Sequence, residues 1–205
     1  MSSESDVIAV TITADILAAD DNGISTDAAV GNNAALTIAG ALADGGSVTL
    51  SNARKVTITS AGDDSGISFT IVGTDINGTA QTESVSGVDT GAATSSKLFL
   101  TIASITAVGD PAANVKAGIS ADSSSIVYSG RSRLKGVFLT STATAGTVDF
   151  LNTSTAGTSL MKISSVASAT ATRDVVIPEN GVLFTDGIYI QYTVSTFLTL
   201  TVFHA

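Results

Sequence analysis

Apolar residues alternate with small polar ones along most of this chain, and glycine-rich turns interrupt the alternation. The clearest stretch is residues 53–87, ARKVTITSAGDDSGISFTIVGTDINGTAQTESVSG. Val56 and Ile58 share one strand face with Lys55, Thr57 and Thr59 opposite, and Ile67, Phe69 and Ile71 repeat the period of two that marks a half-buried strand. Gly62-Asp63-Asp64-Ser65-Gly66 separates the two runs. Asn77-Gly78 predicts a hairpin, because both residues tolerate positive φ and suit strand twist. The returning strand holds Gln81, Glu83 and Val85.

The same period predicts strands on either side. Val7 to Thr13 reads as a first strand or a docking arm, followed by a one-turn helix around Ala14 to Ala19. Asp20-Asp21-Asn22-Gly23 reads as a turn, and the small polar stretch through Asn32-Asn33 as a loop. Leu36 and Ile38 make a short strand, and Gly45-Gly46 turns the chain into Val48 and Leu50. After a polar loop, Leu98, Leu100, Ile102 and Ile105 mark a core strand whose alternation slips near Ala103, which predicts a bulge. Val115 to Ile119 ends this domain, and Ser120 to Ser125 is the expected boundary. Further strands are predicted near Ser132–Thr140, Thr147–Leu151, Ser159–Ile163, Asp174–Ile177, Ile188–Tyr192 and Phe197–Phe203.

Many short strands without a helical period predict an all-β fold, in this case two antiparallel β-sandwich domains of jelly-roll or Ig-like kind with an N-terminal arm. The expected divisions are an arm and loop at 1–33, a first sandwich at 34–122 and a second at 123–205. No fixed repeat period points to a propeller or β-helix.

Composition sharpens this picture. Apolar residues make up 44% and charged residues 13%, so the chain has the burial capacity to fold. Aromatics are only 5% with no Trp, so Val, Ile, Leu and Ala must build the core. With no cysteine, disulfides and thiolate metal sites are excluded. The start, Met1-Ser2-Ser3-Glu4-Ser5-Asp6, is polar and acidic, and the run Leu98 to Val108 is broken by Thr101, Ser104 and Thr106. Neither a signal peptide nor a membrane span is expected. A net charge of −9 speaks against nucleic-acid binding, which needs clustered Lys and Arg. Residues 1–125 hold 14 acidic and 4 basic residues, whereas 126–205 hold 4 and 5.

No set of residues assembles into a known reaction centre, so no catalytic residue, cofactor or metal is expected. His204 is the only histidine, and its penultimate position argues against the rigid support a hydrolase triad requires. Asp63-Asp64-Ser65-Gly66 reads as a turn, since a chymotrypsin-like site would need an upstream histidine. The pairs Asp20/Asp21 and Asp63/Asp64 offer oxygen donors for calcium, but their spacing lacks the alternate ligands and terminal Glu of an EF-hand. The expected contacts are with other proteins. Val7, Ile8, Val10 and Ile12 suit an arm that adds a strand to a neighbour, because an open sheet edge offers unpaired N–H and C=O groups. Arg131, Arg133 and Lys135 recur at a spacing of two, placing three cations on one strand face. They fit either an acidic partner, such as the first domain of another copy, or an edge strand charged to discourage pairing.

The stretch RKVTITSAGDDSGISFTIVGTDINGTAQTESVSG, continued by the strands Leu98 to Ile102 and Ile105 to Val108, resembles a β-domain of tailed-bacteriophage structural proteins. RLKGVFLTSTATAGTVDFLNTS and VVIPENGVLFTDGIYIQYT are similar to small β-modules of phage virion, fibre and decoration proteins. The resemblance rests on texture and turn placement and covers about four fifths of the chain. It implies a non-enzymatic virion protein assembled in the host cytoplasm. Such a protein is oligomeric, with a trimer favoured, and its partner is the major capsid protein or another virion protein, with no membrane or nucleic acid. Capsid decoration or cementing is the leading expectation. A tail, neck or fibre component comes second, and a carbohydrate-binding module or adhesin third.

Overall fold

The computed structural model describes residues 6–13, 19–120, 124–167, 170–193 and 197–205, with Phe197 and Leu198 described by backbone alone. The described residues form strands and no helix. In chain order the strands are β1 (Ile8–Thr13), β2 (Asp20–Ala28), β3 (Ala43–Asp44), β4 (Ser47–Arg54), β5 (Val56–Asp63), β6 (Ser68–Thr74), β7 (Ala80–Ser86), β8 (Asp89–Thr94) and β9 (Phe99–Val108). They continue as β10 (Val115–Ile119), β11 (Ser124–Tyr128), β12 (Ser132–Ser141), β13 (Gly146–Asn152), β14 (Thr158–Ser165), β15 (Ala171–Val176), β16 (Val182–Phe184), β17 (Ile188–Tyr192) and β18 (Phe197–His204).

Two compact units divide the chain. One, the inserted unit, is Ala18–Asp122, and the other, the terminal unit, joins Met1–Leu17 to Ser123–Ala205. The terminal unit has sheets β1-β18-β12-β15, with β16 also on β12, and β11-β17-β13-β14. The inserted unit has sheets β2-β10-β5-β8 and β3-β4-β9-β6-β7. All the strand pairs are antiparallel.

One strand order occurs twice. Leaving aside the short β3 and β16 and counting eight strands in each unit along the chain, one sheet reads first-eighth-third-sixth and the other second-seventh-fourth-fifth. In the terminal unit the first strand is β1, and the inserted unit enters the chain between that strand and the second, β11.

Each unit buries its own core between its two sheets. Ile24, Val48, Ile58, Phe69, Ile71, Phe99, Ile105 and Val115 belong to one cluster. Ile12, Val137, Leu139, Val148, Phe150, Phe184, Ile190 and Leu200 belong to the other. Both are rich in branched aliphatics, which suit pleated surfaces packed face to face.

Local chemistry accounts for several joints. Gly45 and Gly46, at φ 58° and 82°, close the β3–β4 hairpin. Gly78, at φ 78°, lies in the β6–β7 hairpin, where the Asp75 side chain accepts the N–H groups of Asn77 and Thr79. The register of β6 on β9 passes from Val72↔Ser104 to Gly73↔Ile102, leaving Ala103 as the extra residue of the predicted bulge. Gly73 makes room for it, since a Cβ there would stand 1.9 Å from the Thr101 carbonyl oxygen.

The structure departs from the sequence expectations in four places. Asp20-Asp21-Asn22-Gly23 opens β2 instead of forming a turn, because pairing with β10 and burial of Ile24 override the local turn preference. The polar stretch before Leu98 contains β8, an edge strand with Ala93 as its buried residue. Leu36 and Ile38 are buried beside β9 without forming a strand of their own, the Leu36 N–H donating to the Ile105 carbonyl. The expected arm and loop at 1–33 splits between the units: β1 pairs along its length with β18, and β2 joins the inserted unit. Most of the helix predicted at Ala14 to Ala19 lies outside the described residues.

Candidate interaction surface

The first element to place is β1. Its residues alternate between the two sides of its sheet, so Ile12 is fully buried against the core, Val10 is packed against it, and Val7 and Ile8 are 54% and 52% exposed. The register Ile8↔His204, Val10↔Val202, Ile12↔Leu200 fixes the parity. Val10 and Ile12 are therefore structural, and the arm expected to reach a neighbour is seated on its own chain. Only the start of β1, together with its edge away from β18, remains open among the described residues.

Arg133 and Lys135 lie on β12, which pairs with β18 on one side and with β15 and β16 on the other. β12 is thus an interior strand, which removes the reading of these cations as an edge-strand device. Arg131 precedes the strand, in the exposed turn after β11. Arg133 Nη1 donates to the Asn180 carbonyl at 3.3 Å and Lys135 Nζ to the Glu179 carbonyl at 3.4 Å. Neither forms an ion pair among the described residues, so both positive charges remain free to attract an acidic surface.

The register on β12 determines what surrounds them. It passes from Leu134↔His204 to Gly136↔Phe203, so Lys135 is bulged and the alternation reverses. Arg133 and Lys135 point outward before the bulge, and Gly136, Phe138 and Thr140 do so after it. Three cross-strand rows follow on that outer face. Ala9, Phe203, Gly136 and Val176 form the first; Thr11, Thr201, Phe138 and Asp174 the second; Thr13, Thr199, Thr140 and Thr172 the third. Phe138 is 39% exposed and Val176 77%. A Cβ at Gly136 would crowd the Val175 carbonyl oxygen at 3.2 Å, while the Phe203 ring would stay at ordinary contact distance. Val7, beside Ile8 at the margin, adds exposed apolar surface. Exposed apolar side chains beside these cations make the outer face of this sheet the candidate docking surface.

The sequence singled out Val7, Arg131, Arg133 and Lys135 as interaction candidates but not Phe138, Val176 and Phe203, which share this outer face. The signal was present in Gly136, a glycine inside a predicted strand, which marks a bulge or a close approach.

His204 is held firmly despite its penultimate position: it is 2% exposed, its Nδ1 lies 3.0 Å from Ser132 Oγ, and its ring centroid is 5.0 Å from that of Tyr128. Ser132 is 4% exposed, so this pair has no face open to a substrate. Desolvation holds His204 below its ordinary pKa of 6.5. The unfolded chain therefore takes up a proton that the folded unit resists. The contribution of neutral, buried His204 to the terminal unit's stability should be fully present above pH 6.5 and be lost as pH falls from there toward the lowered folded value. Denaturant unfolding at about pH 7.5 and about pH 5.5, with His204→Gln flattening the difference, checks this.

Asp21 pairs with Lys116, and Asp63 accepts two hydrogen bonds from Ser65, which lower its pKa. Asp64 is buried and accepts the Ala112 N–H at 2.8 Å. Among the described residues, no group of three or more His, Cys, Asp or Glu is placed to hold a metal ion. Among the described residues no helix is long and apolar enough to cross a membrane. No protein-family model, curated protein or solved structure matches the chain.

Proposed function

We propose that this protein is a non-enzymatic virion component that decorates and stabilises the outside of a tailed-phage capsid, docking through the outer face of the β1-β18-β12-β15 sheet. The observation that carries the reading is that face, where Phe138, Val176 and Val7 stand exposed beside Arg133 and Lys135. The sequence resemblance to phage β-modules supports it. So does the strand order, since first-eighth-third-sixth over second-seventh-fourth-fifth is the order of a jelly roll, and we read both units as jelly rolls. Viral capsid proteins use that architecture, although a fold alone does not fix a function.

The mechanism is linkage. A protein that binds only the assembled shell stabilises it by mass action, by about 2.7 kcal/mol per site at a hundredfold excess over Kd, and the many equivalent sites of a lattice multiply the effect. Homo-oligomerisation, with a trimer favoured, would add avidity. Replacing Phe138 and Val176 with serine together should leave the melting temperature within a few degrees of wild type, because both side chains are already exposed. The same change should weaken retention on purified capsids at least about tenfold in a sedimentation assay, given that central apolar contacts dominate interfaces. Retention equal to wild type would move the docking surface elsewhere.

Jelly rolls also serve as lectin domains, which keeps a carbohydrate-binding module or adhesin as the third reading, after a tail, neck or fibre component. Glycan-array binding by the isolated protein would favour it. A tail, neck or fibre position is distinguished by copy number.

A further inference from the structure

In both units the fifth and sixth strands are free edges of opposite sheets on one side of the two-sheet core. In the inserted unit this side lies between β7 and β8 and holds a groove of about 480 Å³. Its own chain bridges that groove. The Glu83 carboxylate accepts the N–H groups of Ser96 and Lys97 at 2.7 and 2.9 Å, and Gln81 donates to the Leu98 carbonyl at 2.7 Å.

The equivalent side of the terminal unit lies between β14 and β15 and holds a larger groove, of about 610 Å³. Met161, Ile163 and Val175 line it. Arg173 lines it too, on the core-facing parity that it shares with Val175, opposite Val137 and Leu139 in the register. Its Nε is buried and has no hydrogen-bond partner. Among the described residues the guanidinium has no ion pair either, whereas the neighbouring Lys162 is held by Asp149 at 3.1 Å. A buried donor on a cation is costly to leave unsatisfied, and a planar guanidinium matches a carboxylate.

From the unsatisfied Arg173 Nε, the groove and the two open edges, we propose that this side of the terminal unit receives an extended, carboxylate-bearing segment of a partner polypeptide. Its acid pairs with Arg173, and its alternate apolar side chains cover Met161, Ile163 and Val175. Its backbone pairs with the free edge of β14 or β15, as in strand addition. Where the inserted unit satisfies its Glu83 carboxylate within its own chain, the terminal unit offers the complementary charge and takes the acid from outside.

The probe is a blocked hexapeptide, acetyl-Val-Thr-Glu-Thr-Val-Thr-amide, whose Glu and valines share one strand face, titrated into the full chain and followed by amide chemical shifts. Saturable binding is expected, with shifts confined to β14 and β15. Binding should weaken at least about tenfold when the peptide's Glu is replaced by Gln, and equally in Arg173→Gln, with partial recovery in Arg173→Lys. Absence of binding to the wild-type chain, equal affinity for the Glu and Gln peptides, or shifts placed elsewhere would each overturn the proposal. If Arg173→Gln fails to fold, the comparison of the two peptides on the wild-type chain decides.

Discussion

Ile12→Ala should destabilise the terminal unit by about 2–5 kcal/mol, the range for emptying a fully buried aliphatic site, whereas Ile8→Ala should change it by no more than about 0.5 kcal/mol. The two isoleucines lie four residues apart on one six-residue strand, and one is fully buried while the other is 52% exposed. The contrast separates two views of the amino-terminal segment. If β1 were an appendage, both changes would be harmless to folding; as the first strand of the terminal unit's eight, it holds part of the core. For the same reason, deleting residues 1–13 should compromise the terminal unit itself and not merely remove a tether. Tyrosine fluorescence reads this unit selectively, because the chain's three tyrosines, Tyr128, Tyr189 and Tyr192, all lie within it.

Phe99→Ala is the complementary experiment. Phe99 is fully buried on β9 in the other core, and its truncation should cost the inserted unit about 3–5 kcal/mol. The two clusters share no residue, so the tyrosine-detected transition should stay where it is while part of the far-UV circular dichroism signal melts earlier. Ile12→Ala should do the reverse. Coincident shifts of both signals in both variants would show that the units unfold as one.

The all-β character was legible in the sequence because alternation of apolar and polar residues is a local signal. It located β5, β6, β10, β12, β17 and β18, and even the extra residue at Ala103. Strands without that signal were missed. Asp89–Thr94 buries little more than Ala93, and Ser124–Tyr128 opens with serines that read as a linker although both are buried. The recurrence of one strand order left no trace, since the order depends on which strands pair across long separations and not on any residue within them. The candidate docking face was half legible for a related reason. Alternation alone puts Val137 beside Lys135, and only the bulge at Lys135, set by pairing with β18, turns Phe138 to the cationic side.

Pairing also accounts for the reassignment of β1. Nothing in Ile8–Thr13 distinguishes an arm offered to a neighbour from a strand completing its own sheet, because both require the same alternation and the same free edge. The partner is Phe197–His204, at the far end of the chain, and the inserted unit occupies much of the sequence between them.

The central claim is that this chain works by occupying sites on an assembled shell. Quantitative mass spectrometry of purified phage particles, measuring copies of this protein per particle, tests it most directly. Hundreds of copies, in fixed ratio to the major capsid protein, are the result predicted by decoration. A dozen or fewer would place the protein in the tail or neck, and its absence from particles would contradict the account.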